Sequence, residues 1–167
     1  MIEFPLHSLE TAPASSRALL AEAAVAHGRL PNMARTMAES PAALRGFESL
    51  RQAFAQSSLT PLEQQVVYLT VSKVNACHYC AVQTGMFDDS PEARAAGDAI
   101  REDRPITDTK LQALRRFVAA MTAERGWVSA DLIDRFLAAG YDRAQLLDVI
   151  SGIALATMSS YTNHVAA

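Results

Sequence analysis

Apolar residues recur at intervals of three and four along almost the whole chain, and long alternating β-branched segments are absent. That periodicity predicts an all-α protein. After a polar lead-in, Ser16 to His27 reads as an alanine-rich helix that Gly28 and Pro31 stop. A short helix follows around Asn32 to Glu39. Ser40 can cap the next one and Pro41 can occupy its first turn, with Leu44, Phe47, Leu50 and Phe54 forming a stripe toward Gln56. Ser58-Leu59-Thr60-Pro61-Leu62-Glu63 is a sharp start signal, because Thr60 caps, Pro61 sits at N1 and Glu63 at N3 completes a capping box.

The helix from Thr60 to about Asn75 presents Val66, Leu69, Thr70 and Lys73 on one face, beside Val67, Val71 and Val74. A further helix opens at or near Cys77 and carries Cys80, Ala81 and Thr84 before Gly85. Pro91 to Glu102 is more charged, and Arg104-Pro105 ends it. Thr107 to Arg125 turns Leu111, Leu114, Phe117, Val118 and Met121 inward, and Gly126 stops it. Ser129 caps a helix from Ala130 to Ala139, which Gly140 closes. The last helix, about Asp142 to His164, is apolar or small on most sides, which suits the centre of a bundle or a subunit interface.

Composition narrows the classes. A chain of 167 residues suits one domain. Half of it is hydrophobic and only 20% is charged, a balance that points toward a homo-oligomer. A formal charge of −3 gives no reason to expect nucleic acid or an anionic membrane as partner. No segment reaches the roughly 18 to 20 apolar residues of a membrane span. Met1-Ile2-Glu3-Phe4-Pro5 lacks the basic and apolar stretches of a secretory signal, so the expected location is the cytoplasm.

Within this frame the candidate chemistry concentrates in Cys77-His78-Tyr79-Cys80, which holds both cysteines of the chain. Two sulfurs at that spacing can close a disulfide within one helical turn and so store two electrons. At a helix start, Cys77 meets unpaired N–H groups and the positive end of the dipole, which favour its thiolate. Cys80, one turn further in, is expected to be more buried and its pKa correspondingly raised. On these grounds Cys77 is the more reactive sulfur. His78 adds local positive potential. Simple packing of two small apolar residues is the competing reading, and a zinc site drawing on His78 and His164 is a weaker one. No metal or cofactor is expected. Elsewhere His27 reads as a dipole partner at a helix end, and His7 lies in the polar lead-in. Met33, Met37 and Met121 read as core filling. Tyr161, Asn163 and His164 form a polar cluster at the end of the most apolar helix, suited to a capping network or to a site lining.

Two blocks carry a family resemblance. The first is Leu59-Thr60-Pro61, Val66-Val67 and Val71-Ser72-Lys73-Val74-Asn75-Ala76-Cys77-His78-Tyr79-Cys80; the second is Gly152-Ile153-Ala154-Leu155 with Ser160-Tyr161-Thr162-Asn163-His164. Over roughly Leu59 to Ala166 the chain resembles the alkylhydroperoxidase D-like, carboxymuconolactone decarboxylase family, in its peroxidase-related branch. The resemblance implies a compact multi-helix bundle with CxxC at the N-terminus of a helix, assembled as trimers or hexamers. It implies a single domain over residues 1–167, with a core at about 59–166 and the helices of 15–56 packing on it. It further implies reduction of a small-molecule peroxide, with electrons from a thiol or dihydrolipoyl donor. Decarboxylase members of the family act without the dithiol.

Residue by residue, the resemblance makes Cys80 the peroxide-attacking sulfur and Cys77 the resolving one, opposite to the dipole argument. The family's glutamate and histidine relay positions hold Gln65 and Thr84 here, neither of which takes a proton near neutral pH. Three outcomes stay open. Cys77 and Cys80 can still work as a slower redox pair, with Tyr79 and His78 as neighbours. A histidine, His164 or His78, can replace the missing base. The chain can instead be a non-redox, lactone decarboxylase-like enzyme or an inactive, assembly-forming member.

Overall fold

The computed structural model describes residues 3–81 and 87–166. Among these residues every regular element is helical: α1 (Ala14–His27), α2 (Asn32–Met37), α3 (Pro41–Ala55), α4 (Pro61–Val74), α5 (His78–Ala81), α6 (Pro91–Arg101), α7 (Thr109–Ala123), α8 (Ala130–Ala138) and α9 (Arg143–Ala166). The all-α expectation is met. So are the local start signals. Thr60 accepts from the Glu63 N–H while Glu63 accepts from the Thr60 N–H, closing the capping box. Ser40, Ser90 and Ser129 each accept a backbone N–H from the first turn of their helices. The seventh helix begins two residues later than its hydrophobic pattern suggests, because Asp108 rather than Thr107 supplies the cap.

The described chain groups into two compact units. The first holds residues up to Gln52 together with Tyr161 onward. Within it Gly28 ends α1 at φ 65°, a left-handed conformation suited to glycine. His7, read from the sequence as a lead-in residue of little weight, is buried instead. Its Nε2 lies 2.8 Å from Glu39, and Arg35 donates to the carbonyls of Leu6 and His7. His27 does more than face the α1 dipole, since its ring reaches Glu48 at 3.1 Å and Arg51 holds the same carboxylate.

The second unit, Ala53–Ser160, is built around α4, against which α5, α6 and α7 pack. A one-sided amphipathic helix is not what forms. Every residue from Glu63 to Ser72 is buried. Five of those are polar or charged, and four of them bond as they are enclosed. The Gln64 amide donates to the carbonyl of Leu59 and to Ser57, and Ser72 returns its hydroxyl to the Tyr68 carbonyl. Gln65 accepts from the Phe87 N–H. Glu63 meets the Lys110 ammonium at 3.0 Å, and that ammonium also sits 4.5 Å above the Tyr141 ring. Beyond α7, the rings of Phe117, Phe136 and Tyr141 stack in series at 4.4 and 4.5 Å. Phe54, Phe87 and Tyr68 make an edge-on aromatic cluster.

The last helix carries apolar or small residues on its buried and exposed sides alike, as its sequence suggests. Val149, Gly152, Leu155, Ala156, Ser159 and Ser160 are buried, while Leu147, Ile150, Tyr161 and Val165 remain exposed along it. Its inner face comes unusually close to α4. A methyl group on Gly152 would stand 2.6 Å from ring carbons of Phe54 and 2.7 Å from Val67 Cγ1. Only a residue without Cβ permits this approach.

Burial pushes the Glu63 carboxyl up, but the Thr60 hydrogen bonds and the Lys110 ammonium outweigh it and hold the group below the usual carboxylate range. A lowered folded-state pKa stabilises the fold above the unfolded-state value and loses that contribution as pH falls through the folded one. Replacing Glu63→Gln, which keeps a capping amide but removes the charge, is therefore expected to cost about 1 kcal/mol at neutral pH. Thermal melts of both proteins against pH check this. The gap is expected to narrow as pH falls below the ordinary glutamate value of about 4.3 and to close as it passes through the lowered folded-state value.

Candidate functional site

The CxxC segment is placed by the way α4 stops. Asn75 is its last turn residue, and Ala76 takes a left-handed φ of 55°. The Ala76 N–H donates to the Lys73 carbonyl at 3.0 Å and the Cys77 N–H to the Ser72 carbonyl at 2.9 Å. These are the paired bonds of a Schellman ending, built on alanine where glycine is the unstrained choice. Cys77 is thus fastened to the end of α4 and at once begins α5. Its carbonyl accepts from the Ala81 N–H, and its sulfur accepts from the Cys80 N–H at 3.3 Å. A single residue closes one helix and caps the next.

Cys77 and Cys80 are joined as a disulfide, with Cα atoms 5.3 Å apart. The spacing argument is met in that the two sulfurs meet across one helical turn. The expected contrast in burial is not found, because Cys77 is 2% and Cys80 1% exposed. Both point inward. His78 and Tyr79 point the other way, Tyr79 with 57% of its surface exposed. From α6, the Arg101 guanidinium donates to the Ala81 carbonyl at 3.2 Å and ties down the far side of α5.

The polar partners of Cys80 come from α9. Ser159 Oγ lies 3.8 Å and Ser160 Oγ 4.0 Å from its sulfur, within reach of hydrogen bonds to sulfur. Ser159 is in turn 2.9 Å from the Tyr68 hydroxyl of α4. Tyr68, Ser159 and Ser160 are all buried. Burial pushes the Tyr68 phenol above its ordinary pKa, the Ser159 hydrogen bond opposes this and Tyr79 reinforces it, so Tyr68 stays protonated at neutral pH. Asn75 adds a side-chain bond to Thr157 at 3.4 Å. The Tyr68–Ser159–Cys80 chain went unnoticed in the sequence, although Ser160 falls in the second family block. Tyr68 and Ser159 are 91 positions apart, and only a buried position for both could have suggested the pairing.

The relay positions fare differently. Gln65 of α4 is 1% exposed and its amide oxygen accepts from the Phe87 N–H at 3.1 Å, so an uncharged amide is enclosed where the resemblance expects a carboxylate. Thr84 lies outside the described residues. His164 belongs to the first unit, where its ring centroid is 6.5 Å from that of Tyr161. Among the described residues no three His, Cys, Asp or Glu side chains gather as metal ligands, and no helix is long and apolar enough to cross a membrane.

Comparison with known proteins is informative at the level of fold. No family model and no curated protein matches the chain. Solved structures do. An uncharacterized peroxidase-related protein with an alkylhydroperoxidase AhpD core, from Ralstonia eutropha JMP134, superposes with a TM-score of 0.80 at 20% identity, covering 98% of this chain and 88% of its own. An uncharacterized peroxidase-related protein from Silicibacter sp. TM1040 gives 0.74 at 17% identity, covering 99% and 88%. A cysteine-to-alanine variant of the debrominase Bmp8, in complex with 2,3,4-tribromopyrrole, gives 0.72 at 15% identity, covering 99% and 89%. The chain shares the AhpD-like helical fold of these structures, with a cysteine pair at the head of a helix.

The close approach at Gly152 is what brings Ser159 to Tyr68 two helical turns later on the same face of α9. Gly152→Ala must displace a fully buried Phe54 ring or the helix itself. Its expected cost is about 1 to 3 kcal/mol, read as a lowered melting temperature with the CxxC pair still able to oxidise.

Proposed function

We propose that this protein is a thiol-dependent peroxidase or disulfide oxidoreductase of the alkylhydroperoxidase D type, with Cys77 and Cys80 as its catalytic residues. The observation that carries the reading is the Cys77–Cys80 bond closed across one helical turn, in a fold shared with peroxidase-related proteins. In the oxidative half, the dithiol and a hydroperoxide give the disulfide, the alcohol and water. In the reductive half, two thiol groups of a donor, or one dihydrolipoyl dithiol, attack the disulfide and leave as their own disulfide while the Cys77 and Cys80 thiols return. Electrons and protons balance over the two halves, and no cofactor enters.

Burial sets the substrate size. Both sulfurs lie in the interior, which favours hydrogen peroxide and small hydroperoxides over bulky ones. The exposed apolar residues Leu147, Ile150, Tyr161 and Val165 of α9 support action as a homo-oligomer. The debrominase neighbour adds a second oxidant to assay. A bromopyrrole would take two electrons from the same dithiol, exchanging its C–Br bond for C–H and releasing bromide and a proton.

Turnover is measured with dihydrolipoamide as donor and hydrogen peroxide, a small alkyl hydroperoxide or 2,3,4-tribromopyrrole as oxidant. The wild type is expected to consume at least one of these, and Cys77→Ser and Cys80→Ser to lose about tenfold or more of that rate. Equal rates in all three proteins, or no consumption of any oxidant by the wild type, would contradict the reading and leave the non-redox, assembly-forming alternative.

A further inference from the structure

The position that a glutamate would fill holds buried Gln65, yet Cys80 is not without polar company. The geometry points to a hydroxyl cradle in place of an acid–base relay: Ser159 and Ser160 hold Cys80 as a thiolate in the reduced protein, and Tyr68 acts through Ser159. This inference rests on the redox reading above and assigns residues that the reading does not.

The direction of the hydrogen bonds follows from chemistry. A thiolate only accepts, so each serine beside it must donate. Ser159 can donate to sulfur and still accept, and the Tyr68 hydroxyl 2.9 Å away is the donor that completes it. Tyr68 remains protonated near neutral pH because burial raises its pKa. Ser160 is fully buried and donates from the next position of α9. Two hydroxyls therefore converge on one sulfur, and the first is polarised by a third. Hydrogen bonds to a charged partner are the stronger kind, and the interior leaves them unscreened by water. Cys77 has a different donor, the Cys80 N–H at 3.3 Å.

The consequence for the reaction is specific. When a donor thiolate attacks the disulfide at Cys77, the S–S bond breaks and Cys80 leaves as the cradled thiolate. The donor's second thiol then releases Cys77 as a thiol. In the next half, Cys80 thiolate attacks the O–O bond, forms a sulfenic acid and expels an alkoxide that takes a proton from water. The Cys77 thiol condenses with that sulfenic acid, water departs and the disulfide is restored. Ser159 and Ser160 touch the reacting sulfur; Tyr68 is a positioning residue.

Among the described residues of this unit, the titratable or charged groups near Cys80 include Tyr68 from α4, His78 and Tyr79 on the outer side of α5, and Arg101 from α6 at the Ala81 carbonyl. None of the cradle's hydroxyls titrates between pH 5 and 8. The rate of Cys80 should thus follow one ionisation, that of the thiol itself, with no second limb from a carboxylate or imidazole base.

The test uses the Cys77→Ser protein, where Cys80 is the single thiol and its ionisation is read from thiolate absorbance against pH, independently of turnover. Cys80 is expected to ionise below the ordinary thiol value of about 8.5. Ser159→Ala should raise that pKa by about one unit, Ser160→Ala by a similar amount, and Tyr68→Phe by less. Alkylation by iodoacetamide supplies a second readout. The variants should react about threefold more slowly near neutral pH, yet as fast or faster above the thiol pKa, because a more basic thiolate is the better nucleophile. A merely structural role would change both limbs alike. Tyr68→Phe preserves shape, so it carries the test should a serine variant fail to fold. A Cys80 pKa at or above the ordinary value that Tyr68→Phe and Ser159→Ala leave unmoved would overturn the cradle. Failure of peroxide turnover with these pKa shifts intact would instead count against the redox reading alone.

Discussion

The contact on which the candidate site depends is the approach of α9 to α4 at Gly152. There the helix backbone comes so near Phe54 and Val67 that no side chain fits between them. Seven residues further along, two helical turns, the same face delivers Ser159 to Tyr68, with Ser160 beside it at Cys80. A wider spacing would leave these hydroxyls short of their partners and three buried polar groups unsatisfied, each costly in an apolar interior. Close packing and polar pairing therefore require one another here. The small residues Gly152, Ala156, Ser159 and Ser160 make the approach, and the hydrogen bonds it permits make burial of the serines tolerable.

The disulfide is fixed from the other end by the strained alanine. Ala76 holds a left-handed conformation that costs an L-residue roughly 1 to 2 kcal/mol. In return the chain turns sharply enough for Cys77 to finish α4 and start α5 with both of its backbone hydrogen bonds made. Both cysteines are then directed inward while His78 and Tyr79 face outward. Strain of this kind at a candidate reactive position is a common arrangement, because the surrounding hydrogen bonds over-determine the geometry.

What was legible in the sequence follows the range of the interactions. Caps act over three or four residues, so Ser40, Thr60 with Glu63, and Ser129 announced their helices directly. The pairing of Cys77 with Cys80 is equally local. Burial of α4 on all sides was not legible, because Gln64, Gln65 and Ser72 look like a solvated face until their partners are seen. His7 looks like a lead-in residue for the same reason: its partner Glu39 lies 32 positions away. The depth of Cys77 is not legible either, since a helix start is usually near solvent and this one is buried. Tyr68, an unremarked position in an apolar run, proved to be the far end of the longest polar chain at the site.

The proposed function turns on Cys77 and Cys80 exchanging two electrons as a unit. Its most direct measure is equilibration of the protein in dithiothreitol or glutathione redox buffers of graded potential, followed by acid quenching, alkylation and intact mass. One reversible transition is expected between a doubly alkylated and an unalkylated chain, with two electrons per protein and no singly alkylated species at equilibrium. Two independent one-thiol transitions, mixed disulfides that never resolve, or thiols that stay reduced at every potential would contradict it.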